Sequence, residues 1–199
     1  MGFAIALSAL VLGGCATFSG DRGFGAVEQV AGERLHKDVK WPRDSGERDS
    51  VRSAVKELLA SPLSADNAVQ VALLNNPGLQ ATYAELGIAE ADLVQAGRMT
   101  NPHFAYLRTS AGGERKLEWA LTFPVIDLLT MPLRTRIEGR RFEQVKLAVA
   151  GRMLEVADVT RKSWIETVAA EERVRFLEQV KLAAEASAEL ASRMERAGN

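Results

Sequence analysis

The last third of this 199-residue chain holds no proline, and beyond Pro132 nothing ends a helical pattern until Gly198. About 65 residues at 1.5 Å each make a helix on the order of 100 Å long, far beyond the few turns usual in a globular domain. Phe142, Val149, Val156, Ser163, Ala170, Leu177, Ala184 and Ala191 recur at intervals of seven and are all apolar or small, which is the seam of a coiled coil. A patchier row, Leu147, Leu154, Val168 and Leu182, points to a second neighbour, as for a helix in a closed ring. The charges between the rows, such as Glu171, Glu172 and Arg173, read as a solvated face rather than a catalytic carboxylate pair.

Upstream, shorter elements are marked by their caps. Ser64 is placed to cap a helix over 64–75, with Ala68, Val69, Ala72 and Leu73 on one face. Asn76-Pro77 then restarts the helix, since Asn is a good cap and Pro fits the first helical position. The second helix is expected over 77–99, with Leu79, Tyr83, Leu86, Leu93 and Ala96 as its buried stripe, and Thr100-Asn101-Pro102 stops it.

The period then changes from 3.6 to 2. Residues 104–109 read as a modest strand, Ala111-Gly112-Gly113-Glu114 as a turn, and 116–123 as the return strand of a hairpin over 103–123. Leu117, Trp119, Leu121 and Phe123 alternate with Glu118, Ala120 and Thr122, so one face is large and apolar and the other small or polar. Two strands do not stand alone in water. The hairpin either packs on a soluble core or joins other strands in a membrane barrel, with Leu117, Trp119, Leu121 and Phe123 facing lipid. The fold class is therefore mainly α with one β-hairpin.

Residues 16–62 are polar and rich in turns, and only Val51–Ala60 reads as helical, with Val51, Val55, Leu58 and Leu59 on one face. Gly23-Phe24-Gly25 has no preceding strand and no third glycine, so it reads as a linker turn rather than a dinucleotide loop. At the start, Phe3–Leu12 is an apolar run of ten residues, far short of the ~20 that span a bilayer. It leads into Leu12-Gly13-Gly14-Cys15, which resembles a lipoprotein signal: residues 1–14 would be removed and the Cys15 thiol diacylated. The other reading is a free buried cysteine after an ordinary signal. Ala16 stands where Asp favours retention at the inner membrane, so resemblance to bacterial lipoproteins implies the outer membrane of a Gram-negative cell.

Composition removes several classes of function. Lys and Arg number 25 against 26 Asp and Glu, a net charge of −1, so there is no basic excess to hold nucleic acid. One cysteine excludes an intramolecular disulfide, and His36 and His103 lack companions at metal-ligand spacing, so no metal or other cofactor is expected. No nucleophile, general base or phosphate loop can be assembled, and no enzymatic activity is expected.

Leu63-Ser64-Ala65-Asp66-Asn67-Ala68-Val69, then Ala72-Leu73-Leu74-Asn75-Asn76-Pro77-Gly78-Leu79, the helix to Gln95-Ala96-Gly97 and the break at Asn101-Pro102 together resemble the TolC family of outer-membrane efflux channels. With the lipobox, hairpin and long helix, the resemblance covers almost the whole chain, and it is nearest to the lipidated branch that serves drug and copper or silver efflux. It implies a homotrimer in which each chain lends strands to one transmembrane β-barrel, continued by an α-helical tunnel of long coiled-coil helices across the periplasm. Residues 15–63 would be a periplasmic linker. Residues 64–199 would be the first of two repeats, with the hairpin at 103–123 and the long helix at 132–197. The returning helix and second repeat are expected to be missing after Asn199, so that this segment alone would not make a working channel. The resemblance further implies passive conduction from periplasm to exterior, with an inner-membrane pump supplying energy and a periplasmic adaptor docking near Arg193, Arg196 and Gly198. Glu118 and Thr122 would face the lumen. The competing expectation is a lipoprotein whose coiled coil is a periplasmic spacer or scaffold, which needs no lipid-facing strand.

Overall fold

The computed structural model describes residues 17–198 apart from Gly112. Seven elements follow in order: α1 (Gly25–Leu35), α2 (Ser45–Leu58), α3 (Ala65–Asn75), α4 (Pro77–Ala96), β1 (His103–Ala111), β2 (Glu114–Thr122) and α5 (Val125–Arg196). The chain is mainly helical with one antiparallel two-strand hairpin. It divides into two compact units. The first takes the residues up to Lys37 with Pro77–Met153, and the second takes Asp38–Asn76 with Leu154 onward.

Of the 15–63 segment, residues 17–37 belong to the first unit and carry α1. Gly23 and Gly25, expected in a linker turn, build the start of α1. The Asp21 carboxylate accepts from the amides of Gly23 (3.2 Å) and Gly25 (3.0 Å), capping a helix whose own N-cap, Phe24, offers no side-chain bond. Those two amides, Gly25 first, hold the Asp21 carboxyl below its usual pKa. Gly23 has φ +75°, and a Cβ there would stand 2.5 Å from Cζ of Phe142, so both backbone and space require glycine. Phe24, Val27 and Ala31 are thereby buried with Leu79, Tyr83, Leu86 and Val94 of α4 and Phe142, Val149 and Met153 of α5. The Phe24 ring meets Tyr83 edge-on at 4.9 Å. Burial pushes the Tyr83 phenol pKa up.

The α4 stripe includes a residue that its polarity concealed. Glu90 lies four positions after Leu86 and is only 3% exposed. Its Oε1 accepts from the Ser19 amide (2.6 Å) and the Ser19 hydroxyl (2.5 Å), which ties the segment before α1 onto α4. The helix ends at Ala96 rather than at 99, because the Gly97 and Arg98 amides bond back to Leu93 O and Gln95 O in a tightening turn.

The second unit is organised by caps. Asp44 accepts from the Glu47 amide at 2.8 Å to start α2, six residues earlier than the periodicity alone suggested. Ser64 caps α3 through the Asn67 amide at 3.1 Å, and Asn76 sits extended between α3 and Pro77. Val39, Val55, Ala68, Val69, Leu73, Leu74 and Ala157 are buried. The Gln70 side chain bonds both the carbonyl and the amide of Asp38, at 2.8 and 3.2 Å. Trp164 Nε1 donates to Leu63 O at 2.8 Å, and Arg161 pairs with Asp66 at 2.5 Å, which joins α5 to the entry of α3.

The long helix starts at Val125 instead of 132 and runs 72 residues, about 108 Å of helix. Pro132 lies inside it. Proline removes one donor but has a helical φ of its own. In the same stretch Thr130 Oγ1 donates to Ile126 O (2.9 Å) and Arg134 donates to Asp127 O (3.0 Å), adding side-chain bonds close to the proline.

Candidate functional site

The strand register defines the two faces of the hairpin. Phe104 stands opposite Leu121, Tyr106 opposite Trp119 and Arg108 opposite Leu117, whereas His103 faces Thr122, Ala105 faces Ala120 and Leu107 faces Glu118. Residues directly opposite point to the same side. Leu117, Trp119 and Leu121 therefore share one face with Phe104 and Tyr106, and Glu118 and Thr122 share the other. Phe123 lies one residue beyond β2 and is exposed. Its cross-strand position would be Pro102, which has no amide to donate, so the ladder ends there.

The aromatic face is bare. Trp119 is 72% exposed, and Phe104, Tyr106, Leu117 and Leu121 are all more than half exposed. Among the described residues this surface has no covering element, and two strands alone give it no second layer. On the other face Glu118 is ion-paired with Lys116, and Leu107 opposite it makes that face less polar than the alternation in β2 suggested. β1 was the harder strand to read because Leu107 breaks its alternation.

At the start of α5, Val125, Ile126, Leu128, Leu129 and Leu133 are exposed below the hairpin in sequence. The seven-residue seam behaves differently along its length. Phe142 and Val149 are buried in the first unit, and Val156 is half-buried. In the second unit Ser163, Ala170, Leu177, Ala184 and Ala191 are exposed, as is Leu182 of the other row.

The end of α5 is held by local bonds. Arg193 pairs with Glu189 at 2.8 Å, Arg196 donates to Ser192 O at 3.2 Å, and Gly198 takes φ +83°. Two cations in the last turn favour the negative end of the helix dipole. Cys15 and the apolar run before it lie outside the described residues.

Among the described residues Glu90 is the charged side chain buried in the first core, and it is bonded by the exposed Ser19. Glu90 Oε2 and the Tyr83 hydroxyl have no hydrogen-bond partner, and both residues are sealed from solvent. That arrangement anchors the segment before α1 to α4. Among the described residues no group of His, Cys, Asp and Glu is clustered to hold a metal ion, and no helix is long and apolar enough to cross a membrane. The latter has no bearing on a β-barrel. No family model, curated protein or solved structure matches the chain.

Proposed function

We propose that this chain is a component of an outer-membrane channel in a tripartite efflux system. It would be anchored through diacylated Cys15, lend the 103–123 hairpin to a transmembrane barrel shared by three copies of the full-length protein, and extend α5 into the periplasm as part of a helical tunnel. The observation that carries this reading is the uncovered aromatic face of Phe104, Tyr106, Leu117, Trp119 and Leu121. Lipid would cover it, while Glu118 and Thr122 turn to the lumen. Edges left unpaired in a two-strand hairpin must find further strands, because a backbone group without a partner in lipid costs several kcal/mol.

Neighbouring copies would cover the bare seam from Ser163 to Ala191 as a coiled coil, and Arg193, Arg196 and Gly198 would lie at the end that meets a periplasmic adaptor. Transport would be passive. The inner-membrane pump would do the work, and the channel would contribute a continuous aqueous path with no bond made or broken.

Labelling of intact cells tests the reading. In separate variants, Ser110→Cys at the hairpin turn and Ser187→Cys on α5 are exposed to a membrane-impermeant maleimide. Labelling of position 110 from outside, with position 187 reacting only after the outer membrane is permeabilised, is the expected result. Protection of both positions until permeabilisation would favour the periplasmic scaffold and contradict the channel.

A further inference from the structure

The aromatic face of the hairpin is graded along its length. From the open end toward the turn its levels are Phe104 with Leu121, Tyr106 with Trp119, Arg108 with Leu117, and Ser110 with Arg115. Successive levels on one face are about 7 Å apart. The face thus runs from purely apolar, through an aromatic pair, to two cations over roughly 20 Å.

Arg108 and Arg115 are diagonal neighbours across the strands, a relation that places their Cα atoms about 7–8 Å apart. Both are exposed, and among the described residues neither has a hydrogen bond or ion pair. Among the described side chains of β2 the carboxylate is that of Glu118. It lies on the opposite face and is taken by Lys116. Two unpaired guanidiniums side by side repel each other, and an anion accepting from both relieves that repulsion. Tyr106 and Trp119 sit one level toward the apolar end, where amphipathic rings mark a membrane–water boundary. An anion just beyond such a boundary is a lipid phosphate, and guanidinium forks match phosphate oxygens in geometry as well as charge.

We infer that Arg108 and Arg115 form a clamp for the phosphate of an anionic lipid headgroup, at the membrane surface reached by the hairpin turn. The inference rests on the proposal that the aromatic face meets lipid. It adds a ligand class, and it assigns a purpose to two cations on a face that alternation would otherwise leave apolar.

Flotation of the purified full chain with vesicles separates the two ideas. Vesicles of phosphatidylcholine alone report the apolar face, and vesicles that also contain phosphatidylglycerol report the clamp. Wild type, Arg108→Gln/Arg115→Gln and Arg108→Lys/Arg115→Lys should bind neutral vesicles equally. Wild type should gain about 30-fold on the anionic vesicles from this pair, or about 5-fold for each arginine. The Gln pair should lose that gain and the Lys pair should keep part of it. The gain should shrink with added salt, but inorganic phosphate at matched ionic strength should not abolish it. An anionic gain in the Gln pair equal to that of wild type would overturn the clamp and leave the lipid face standing. So would specific abolition by inorganic phosphate, which would mark a site for the free ion. Failure of wild type to bind even neutral vesicles would overturn both.

Discussion

Tyr83 and Trp119 are both large aromatics on regular elements, and they meet opposite surroundings. Tyr83 on α4 has no exposed surface, and it is enclosed with Phe24, Leu79 and Met153 in the first unit's core. Trp119 on β2 is 72% exposed, with Tyr106 opposite it 59% exposed. The first region is complete because helices distant in sequence supply its partners. The second has the apolar content of a core but only two strands, and among the described residues nothing covers it. The same contrast divides α5, whose seam is buried at Phe142 and Val149 and bare from Ser163 onward.

Substitution should separate these regions sharply. Tyr83→Ala is expected to cost about 3–5 kcal/mol in chemical denaturation, the range for emptying a large aromatic site in a packed core. Trp119→Ala should change the same measurement by no more than about 0.5 kcal/mol in the absence of lipid. Comparable losses at the two positions would mean that the hairpin packs onto the chain's own core.

A smaller effect probes why the first region closes. Gly23→Ala puts a methyl group against the Phe142 ring at a backbone angle that resists it, and should cost roughly 1–3 kcal/mol. An unchanged midpoint would show that the turn before α1 is free to move away from α5.

The smallest loss expected within the first region is electrostatic. Asp21→Ala removes the carboxylate that receives the Gly25 and Gly23 amides, and should cost about 1 kcal/mol at neutral pH. The Asp21 pKa is lowered on folding from 3.8, so its contribution is present above that value and is lost as pH falls through the lowered one. Wild type and variant should therefore converge in stability in strong acid. A gap that persists there would assign the effect to packing instead of charge.

The elements that carry their own punctuation were legible in the sequence. Ser64 and Asn76-Pro77 mark α3 and α4 where the structure has them, and alternation from Leu117 to Leu121 gives β2 its two faces. What was missed depends on contacts between distant positions. Gly23-Phe24-Gly25 reads as a linker turn in the sequence, because only Phe142 and Asp21, distant or out of pattern, give Gly23 and Gly25 their roles at the start of α1. Glu90 interrupts a hydrophobic stripe, and only Ser19, 71 positions away, explains its burial. Pro132 resembled a helix start because a proline within a helix is costly, and side-chain donors nearby are not apparent from composition. Arg108 joined the aromatic face only through the register that sets it opposite Leu117.

Spin labels at positions 119 and 120 of membrane-associated protein, compared by their accessibility to a lipid-soluble and a water-soluble relaxant, address the uncovered face most directly. The two residues are adjacent on β2 and lie on opposite faces. Strong relaxation by the lipid-soluble agent at 119 and weak relaxation at 120 is the expected result. Equal accessibility at the two positions would contradict a hairpin that turns its aromatic face to lipid.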